Sequence, residues 1–209
     1  MNKINYQKIL DQTIEQIKDS GQLPSLLLHS CCAPCSSYVI EYLSHYFEIT
    51  VFYYNPNLYP DEEYTKRAAE QQRLIASMPT AHPVHFVLGD FDKNAFHEAI
   101  RGCEKIPEGG ERCFRCYRLR LEKTAKLAQE MQMDYFTTTL SISPLKNAQK
   151  LNEIGCELAE KYTSKYLISD FKKRDGYKRS VELSKEYDMY RQDYCGCVYS
   201  KQERESSRS

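Results

Sequence analysis

Apolar positions at 6, 10, 14 and 17 recur at helical spacing and predict an amphipathic N-terminal helix, ended by Ser20-Gly21 ahead of Pro24. The period then changes. Residues 25–29 form a short apolar run of the buried-strand type, and a helix is predicted over 36–46. The same unit returns as a β-branched and aromatic strand at 49–54, a Pro- and Asn-containing turn at 55–61 and a helix at 62–78. A third strand near 85–88 precedes a helix at 94–101. A Gly-Pro loop at 103–112 leads to a Leu-, Lys-, Arg- and Ala-rich helix at 116–131. Strand 135–138, helix 145–161, strand 166–168 and helix 177–187 complete the pattern. Strands that alternate with helices predict an α/β fold with a parallel sheet covered by helices on both faces, and ligands bound at the carboxyl ends of the strands. With no internal repeat or linker, residues 1–200 are expected to form one metal-binding catalytic domain, and the polar stretch 201–209, KQERESSRS, a disordered tail.

The 209 residues are 41% hydrophobic and 28% charged, with 29 basic residues against 29 acidic. That length can bury a real core, so the nine cysteines are not needed as the staples of a mini-protein. The N-terminal stretch mixes charges and amides and offers neither a signal peptide nor a membrane span, which makes a reducing cytoplasmic location the expectation. In such a compartment, clustered thiols point to metal ligation or redox chemistry. The zero net charge hides local asymmetry: residues 112–126 hold six basic residues against one acidic, and 165–179 six against two. Each is either a solvated helix face or part of a phosphate-binding surface.

Seven cysteines fall into three groups: Cys31, Cys32 and Cys35; Cys113 and Cys116 in C-F-R-C; and Cys195 and Cys197 in C-G-C. A C-x-x-C pair lets two thiolates converge on one metal, and Gly196 frees the chain to bend between two more. Soft thiolates select zinc, copper(I) or iron-sulfur clusters. Seven ligands exceed the four of one centre. Adjacent side chains of an extended segment point opposite ways, so Cys31 and Cys32 are expected to serve different, neighbouring centres. Cys156 fits a helical core position, and Cys103 is either a core residue or a ligand.

The chain resembles the QueH family of iron-sulfur epoxyqueuosine reductases. The resemblance rests on His29-Ser30-Cys31-Cys32-Ala33-Pro34-Cys35, Phe52-Tyr53-Tyr54-Asn55-Pro56-Asn57, the run from Arg112 to Leu121 containing both C-F-R-C cysteines, Thr137-Thr138-Thr139-Leu140, Asp170-Phe171-Lys172-Lys173, and Tyr194-Cys195-Gly196-Cys197. It implies a Rossmann-like nucleotide-hydrolase (HUP) type of three-layer fold. It also implies reduction of epoxyqueuosine to queuosine at the wobble position of tRNAs for Asn, Asp, His and Tyr, the last step of queuosine biosynthesis. The implied cofactors are a 4Fe-4S cluster and an adjacent mononuclear iron, and the implied partners are the tRNA and an external electron donor, with no membrane. Carried over by motif position, Cys32, Cys113, Cys116 and Cys195 bind the cluster, and Cys31, Cys35 and Cys197 the second metal. Some relatives have Asp where this chain has Cys35, which makes the site here all-thiolate.

Removing the epoxide oxygen as water takes two electrons and two protons, which a cluster beside a Lewis-acidic metal can support. His29, Tyr38 and Tyr194 are candidates for the proton donor only through their closeness in sequence to the cysteines, and no catalytic residue is assigned. Tyr53, Tyr54 or Tyr117 are expected to stack on an everted base. The competing class is a non-catalytic, zinc-stabilised nucleic-acid-binding protein. An ATP-dependent tRNA-modifying enzyme of similar fold is disfavoured, because cysteines follow the first strand where a Gly/Ser-rich pyrophosphate loop belongs.

Overall fold

The computed structural model describes residues 4–207. In chain order the elements are α1 Tyr6–Ser20, β1 Ser25–Ser30, α2 Ala33–Leu43, β2 Glu48–Tyr53, α3 Asp61–Ser77, β3 Val84–Leu88, α4 Lys93–Ala99, α5 Glu111–Glu130, β4 Tyr135–Thr138, α6 Ala148–Lys161, β5 Lys165–Tyr166, α7 Gly176–Glu186 and α8 Val198–Ser206. A 3₁₀ turn, Thr139–Ile142, follows β4 directly. The five strands pair in the order β3-β2-β1-β4-β5, and every pair is parallel.

Strand parity divides the core. Leu26 and Leu28 of β1, with Ile49 and Val51 of β2, face α1, α2, α3 and α7, where Leu10, Ile14, Val39, Leu43, Leu74 and Leu183 cover them. Leu27 and Phe52 face the other way, with Phe136, onto Leu121 and Ala125 of α5 and Leu151 and Leu158 of α6. These are the three layers expected from the alternating pattern. The edges are short or partly exposed: β5 has two residues, and β3 buries none of its five fully.

The order of the sheet sets the position of the site. From β1 the chain runs outward to β2 and β3, then returns to β4 on the opposite side of β1. The carboxyl end of β1 is therefore the switch point where an open α/β sheet leaves a crevice, and Cys31 follows its last residue.

Several boundaries differ from expectation, each for a local reason. Helix α2 begins at Ala33 because Pro34, with no N–H to lose, suits the first turn of a helix. Helix α5 begins at Glu111, ahead of both C-F-R-C cysteines, so Cys113 and Cys116 ride on its opening turns.

The chain after Lys201 is not a disordered tail as far as it is described. It continues α8 to Ser206 because Glu203 is anchored, its carboxylate accepting from Arg112 Nη2 at 2.7 Å and from the Glu108 N–H at 3.1 Å. Arg208 and Ser209 lie outside the described residues. Arg112 is buried, so Glu203→Ala strands its charge. A loss of about 2 kcal/mol in urea unfolding is expected, with Glu203→Gln intermediate.

Candidate metal centre

β1 ends on Ser30 and hands the chain to Cys31. Cys32 is then the N-cap residue of α2, with extended backbone at φ −175° and ψ 161°. Cys35 follows in the first helical turn. This turn from strand into helix folds the three side chains onto one point: all three sulfurs lie within 4.8 Å of one another, and Cys31 Sγ is 3.8 Å from Cys32 Sγ. Metal–thiolate bonds of about 2.3 Å in a tetrahedron put neighbouring sulfurs about 3.8 Å apart, so the trio is packed closely enough for thiolate ligation of one ion or of two adjoining centres. The Cys31 and Cys32 sulfurs lie side by side instead of diverging as in a continuous strand, because the chain bends at Cys31 before α2 begins.

The trio still has two sides. Cys31 packs with the apolar layer that includes Cys113. Cys32 faces Gln192, whose Nε2 donates to its sulfur at 3.0 Å, and Arg67 adds positive charge nearby. Hydrogen bonds from the Cys31 and Cys35 thiols, with that of Gln192, hold the Cys32 thiol well below the usual thiol range. The same sharing pushes the Cys35 thiol well up. A thiolate at the N-terminal end of a helix gains further from the helix dipole.

The second group comes from distant segments. Cys113 and Cys116, three residues apart on α5, lie along one side of that helix. Gly109 N–H donates to Cys113 Sγ at 3.3 Å. Cys195 and Cys197 flank Gly196, whose φ of +131° lies in the region that favours glycine. A Cβ there would also meet Leu58 Cδ2 at 2.4 Å, and the Gly196 carbonyl accepts from Tyr59 N–H at 2.9 Å, so C-G-C is docked tightly on the 55–60 turn. Cys116 and Cys197 share an apolar cluster with Phe96 and Ile100. Burial pushes the Cys116 thiol up to about 11 and raises those of Cys113 and Cys197, with the charge of Cys195 acting in the same direction on all three. Bringing such thiols together costs free energy that a bound cation offsets.

A cavity of about 460 Å³ opens beside the two groups, its wall including Cys31, Cys35 and Cys195 with Arg120, Lys146 and Tyr194. Lys146 Nζ donates to Glu108 Oε1 at 2.6 Å, and Glu108 is the more exposed of the two. Tyr177, Arg191 and Arg204 also line the cavity.

The remaining expectations divide. His29 is fully buried, with Nε2 3.0 Å from the Tyr54 carbonyl and Nδ1 2.8 Å from Thr138 Oγ1. A carbonyl only accepts, so Nε2 carries the proton. Burial, reinforced by Arg120, pushes His29 down to about 3 and keeps it neutral. Tyr38 packs under α7, and Tyr194 donates its hydroxyl to the Tyr59 carbonyl at 2.6 Å. The protons of His29 and Tyr194 are thus engaged by carbonyls, and Tyr38 is not among the residues that line the cavity.

Tyr53, Tyr54 and Tyr117 are buried and cannot stack on a base. The aromatics at the cavity are Tyr177 and Tyr194. The basic stretch on α5 is also largely consumed: Arg112 and Arg120 are buried, Arg115 pairs with Glu111, Arg118 with Glu157, Lys123 with Asp90 and Lys126 with Glu130. In the second stretch Lys172, Arg174 and Arg179 pair with Asp170, Asp11 and Glu41. Lys172, Lys173 and Arg174 nevertheless line an open groove with Lys8 and Lys146. Cys156 packs against the α5–α6 core, and Cys103 is buried in the turn after α4. Sequence reasoning missed Arg120, Gln192 and Lys146. Only Arg120 carried a signal, four residues beyond Cys116 on the same side of a helix.

A family model described as epoxyqueuosine reductase QueH matches residues 26–203. The chain is 46% identical over 200 residues to a Streptococcus pyogenes protein named epoxyqueuosine reductase QueH, covering 95% of this chain and 78% of that one. Proteins of the same name are similar at 43% identity in Staphylococcus epidermidis, covering 95% of this chain and 85% of that one, and at 34% in Thermotoga maritima, covering 86% and 92%.

Proposed function

The chain belongs to the epoxyqueuosine reductase QueH family, and from that premise we propose that it reduces epoxyqueuosine to queuosine in tRNA with a 4Fe-4S cluster and a neighbouring iron. The observation that carries the metal assignment is that thiols of the first and last cysteine segments, Cys31, Cys35 and Cys195, line one cavity at the carboxyl end of β1, while the charge of Cys195 also acts on the buried Cys113 and Cys116 of α5.

Cys113, Cys116 and Cys195 hold the cluster, with Cys31 as fourth ligand. Cys32, Cys35 and Cys197 serve the second metal. This exchanges Cys31 and Cys32 relative to the motif-based assignment, because Cys31 is the member of the pair that packs toward α5. When bound, such centres supply electrons singly at low potential and a Lewis acid for a developing alkoxide. The rest falls to side chains. Tyr177 and Tyr194 offer ring surface to an everted base, while Arg191 and Arg204 provide positive charge for the flanking phosphates. Lys146 Nζ holds a proton at the cavity wall, and Glu108 connects it to solvent. In balance, two electrons and two protons remove the oxygen as water and leave an alkene.

Anaerobic incubation of the reconstituted protein with a reductant and epoxyqueuosine-containing tRNA, followed by nucleoside mass analysis, tests the activity. The expected product is lighter by one oxygen, and an unchanged epoxide in the presence of an intact cluster refutes the reading. Affinity for the tRNA should fall steeply as salt rises, because phosphate contacts release counterions.

A further inference from the structure

Among the described residues four cationic side chains are buried: Arg67, Arg112, Arg120 and Lys146. A buried charge without an opposite charge costs several kcal/mol. Arg67 meets Glu63 at 2.6 Å, Arg112 meets Glu203 at 2.7 Å, and Lys146 meets Glu108 at 2.6 Å. Arg120, 2% exposed, forms no ion pair with a carboxylate among the described residues.

Its contacts are of another kind. Nη2 donates to Asn55 Oδ1 at 2.9 Å, and Asn55 in turn donates to the Ser30 carbonyl at 2.9 Å, next to Cys31. Nε lies 3.4 Å from His29 Nε2, which carries its own proton and so offers no acceptor, and Nη1 points to Cys116 Sγ at 3.8 Å. The fork is thus held by the neutral Asn55 while its charge is left to sulfur. Burial works against that charge, and the negative charge of Cys116, then Cys31, then Cys195 outweighs it. Those three thiols come from the three cysteine segments.

We infer that Arg120 is the built-in counter-cation of the thiolate–metal centre, a positioning residue that neutralises its negative charge and makes it easier to reduce. The redox part rests on the function proposed above. A fixed cation in a medium of low dielectric favours each added electron and opposes loss of the metal, and thiolate-rich centres have the most excess charge to offset. A lysine retains the charge without the fork, whereas methionine and glutamine remove it at comparable volume.

The test compares wild-type, Arg120→Lys, Arg120→Met and Arg120→Gln holoproteins by anaerobic spectroelectrochemistry. The neutral variants should reduce about tenfold less favourably, which is 59 mV for a one-electron couple, and Arg120→Lys should stay close to wild type. A cluster-loaded neutral variant with the wild-type potential overturns the inference. So do neutral variants that fail to fold as apoproteins while Arg120→Lys folds, since the positive charge then supports the polypeptide and not the centre. If the wild-type protein carries zinc without iron or labile sulfide, the redox reading fails separately. Charge compensation is then read by chelator competition, where the neutral variants should lose zinc at about tenfold lower chelator concentration than wild type, and equal retention overturns it.

Discussion

Replacing Cys113 or Cys195 by serine is expected to abolish the visible absorption of the anaerobically reconstituted protein. Turnover should fall by more than the ~100-fold that loss of an outer partner of a metal ligand costs. The two thiols come from different segments, and the charge of Cys195 raises Cys113 along with Cys116 and Cys197. Without a metal those thiols take up protons, so the variants should be colourless yet folded, because Leu121, Ala125, Leu151 and Leu158 still close the α5–α6 layer when the Cys113 sulfur at its margin becomes a hydroxyl. The two members of the cysteine pair should separate: Cys31→Ser loses the cluster spectrum, whereas Cys32→Ser keeps it and loses one iron per chain. A full cluster in both Cys113→Ser and Cys195→Ser defeats the ligand assignment. Iron and labile-sulfide analysis beside the absorption spectrum is sufficient to decide.

Gly176→Ala is expected to be among the most destabilising single-methyl changes available in this chain. Gly176 opens α7 where that helix docks on α2, and a Cβ there would stand 2.0 Å from the Phe171 carbonyl oxygen and 2.4 Å from Tyr38 Cε1. The first of these is backbone, itself fixed beside the buried Phe171 ring, so no rotamer change relieves it. Helix α7 must shift outward, against the two-pronged ion pair of Arg179 with Glu41 at 2.6 and 3.0 Å and the packing of Leu183. Overpacking of this severity costs about 3 kcal/mol or more. For a chain of this size that corresponds to a fall in Tm of about 10 °C, measurable by thermal or urea unfolding. The double variant Gly176→Ala/Tyr38→Ala should not recover, because trimming the tyrosine leaves the carbonyl in place. Recovery would mean that the ring and not the backbone sets the limit. Tyr177, the next residue, lines the cavity, so a displaced α7 should also raise KM for tRNA.

Much of the architecture is legible in the chain because period and punctuation are local. The alternation of apolar runs with 3.6-residue patterns is a property of neighbouring residues, and it yields the parallel three-layer fold with its first cysteine cluster at a strand end. Boundaries fail where a distant partner intervenes. KQERESSRS has the composition of a disordered tail, but Arg112, some ninety positions earlier in the chain, recruits Glu203 and extends the helix. The start of α5 lies earlier than the pattern predicts because the glycines before it resemble a loop, although Gly110 is itself the N-cap residue.

By itself the sequence determined which atoms are available for chemistry: seven cysteines in three spaced groups, too many for one centre, with a glycine where C-G-C must bend. It could not determine which sulfurs meet. That depends on side-chain direction, and the bend at Cys31 before α2 turned two neighbours expected to diverge into a 3.8 Å contact. Nor could it determine the meaning of its basic stretches, because a charge acquires a role only from what it faces. Tertiary structure paired most of the arginines and lysines of α5 with carboxylates from other turns and helices, buried the tyrosines expected to hold a base, and left Arg120 with sulfur as its counter-charge. Spacing along the chain fixes composition and period, but neutralisation and coordination are settled through contacts between segments far apart in sequence.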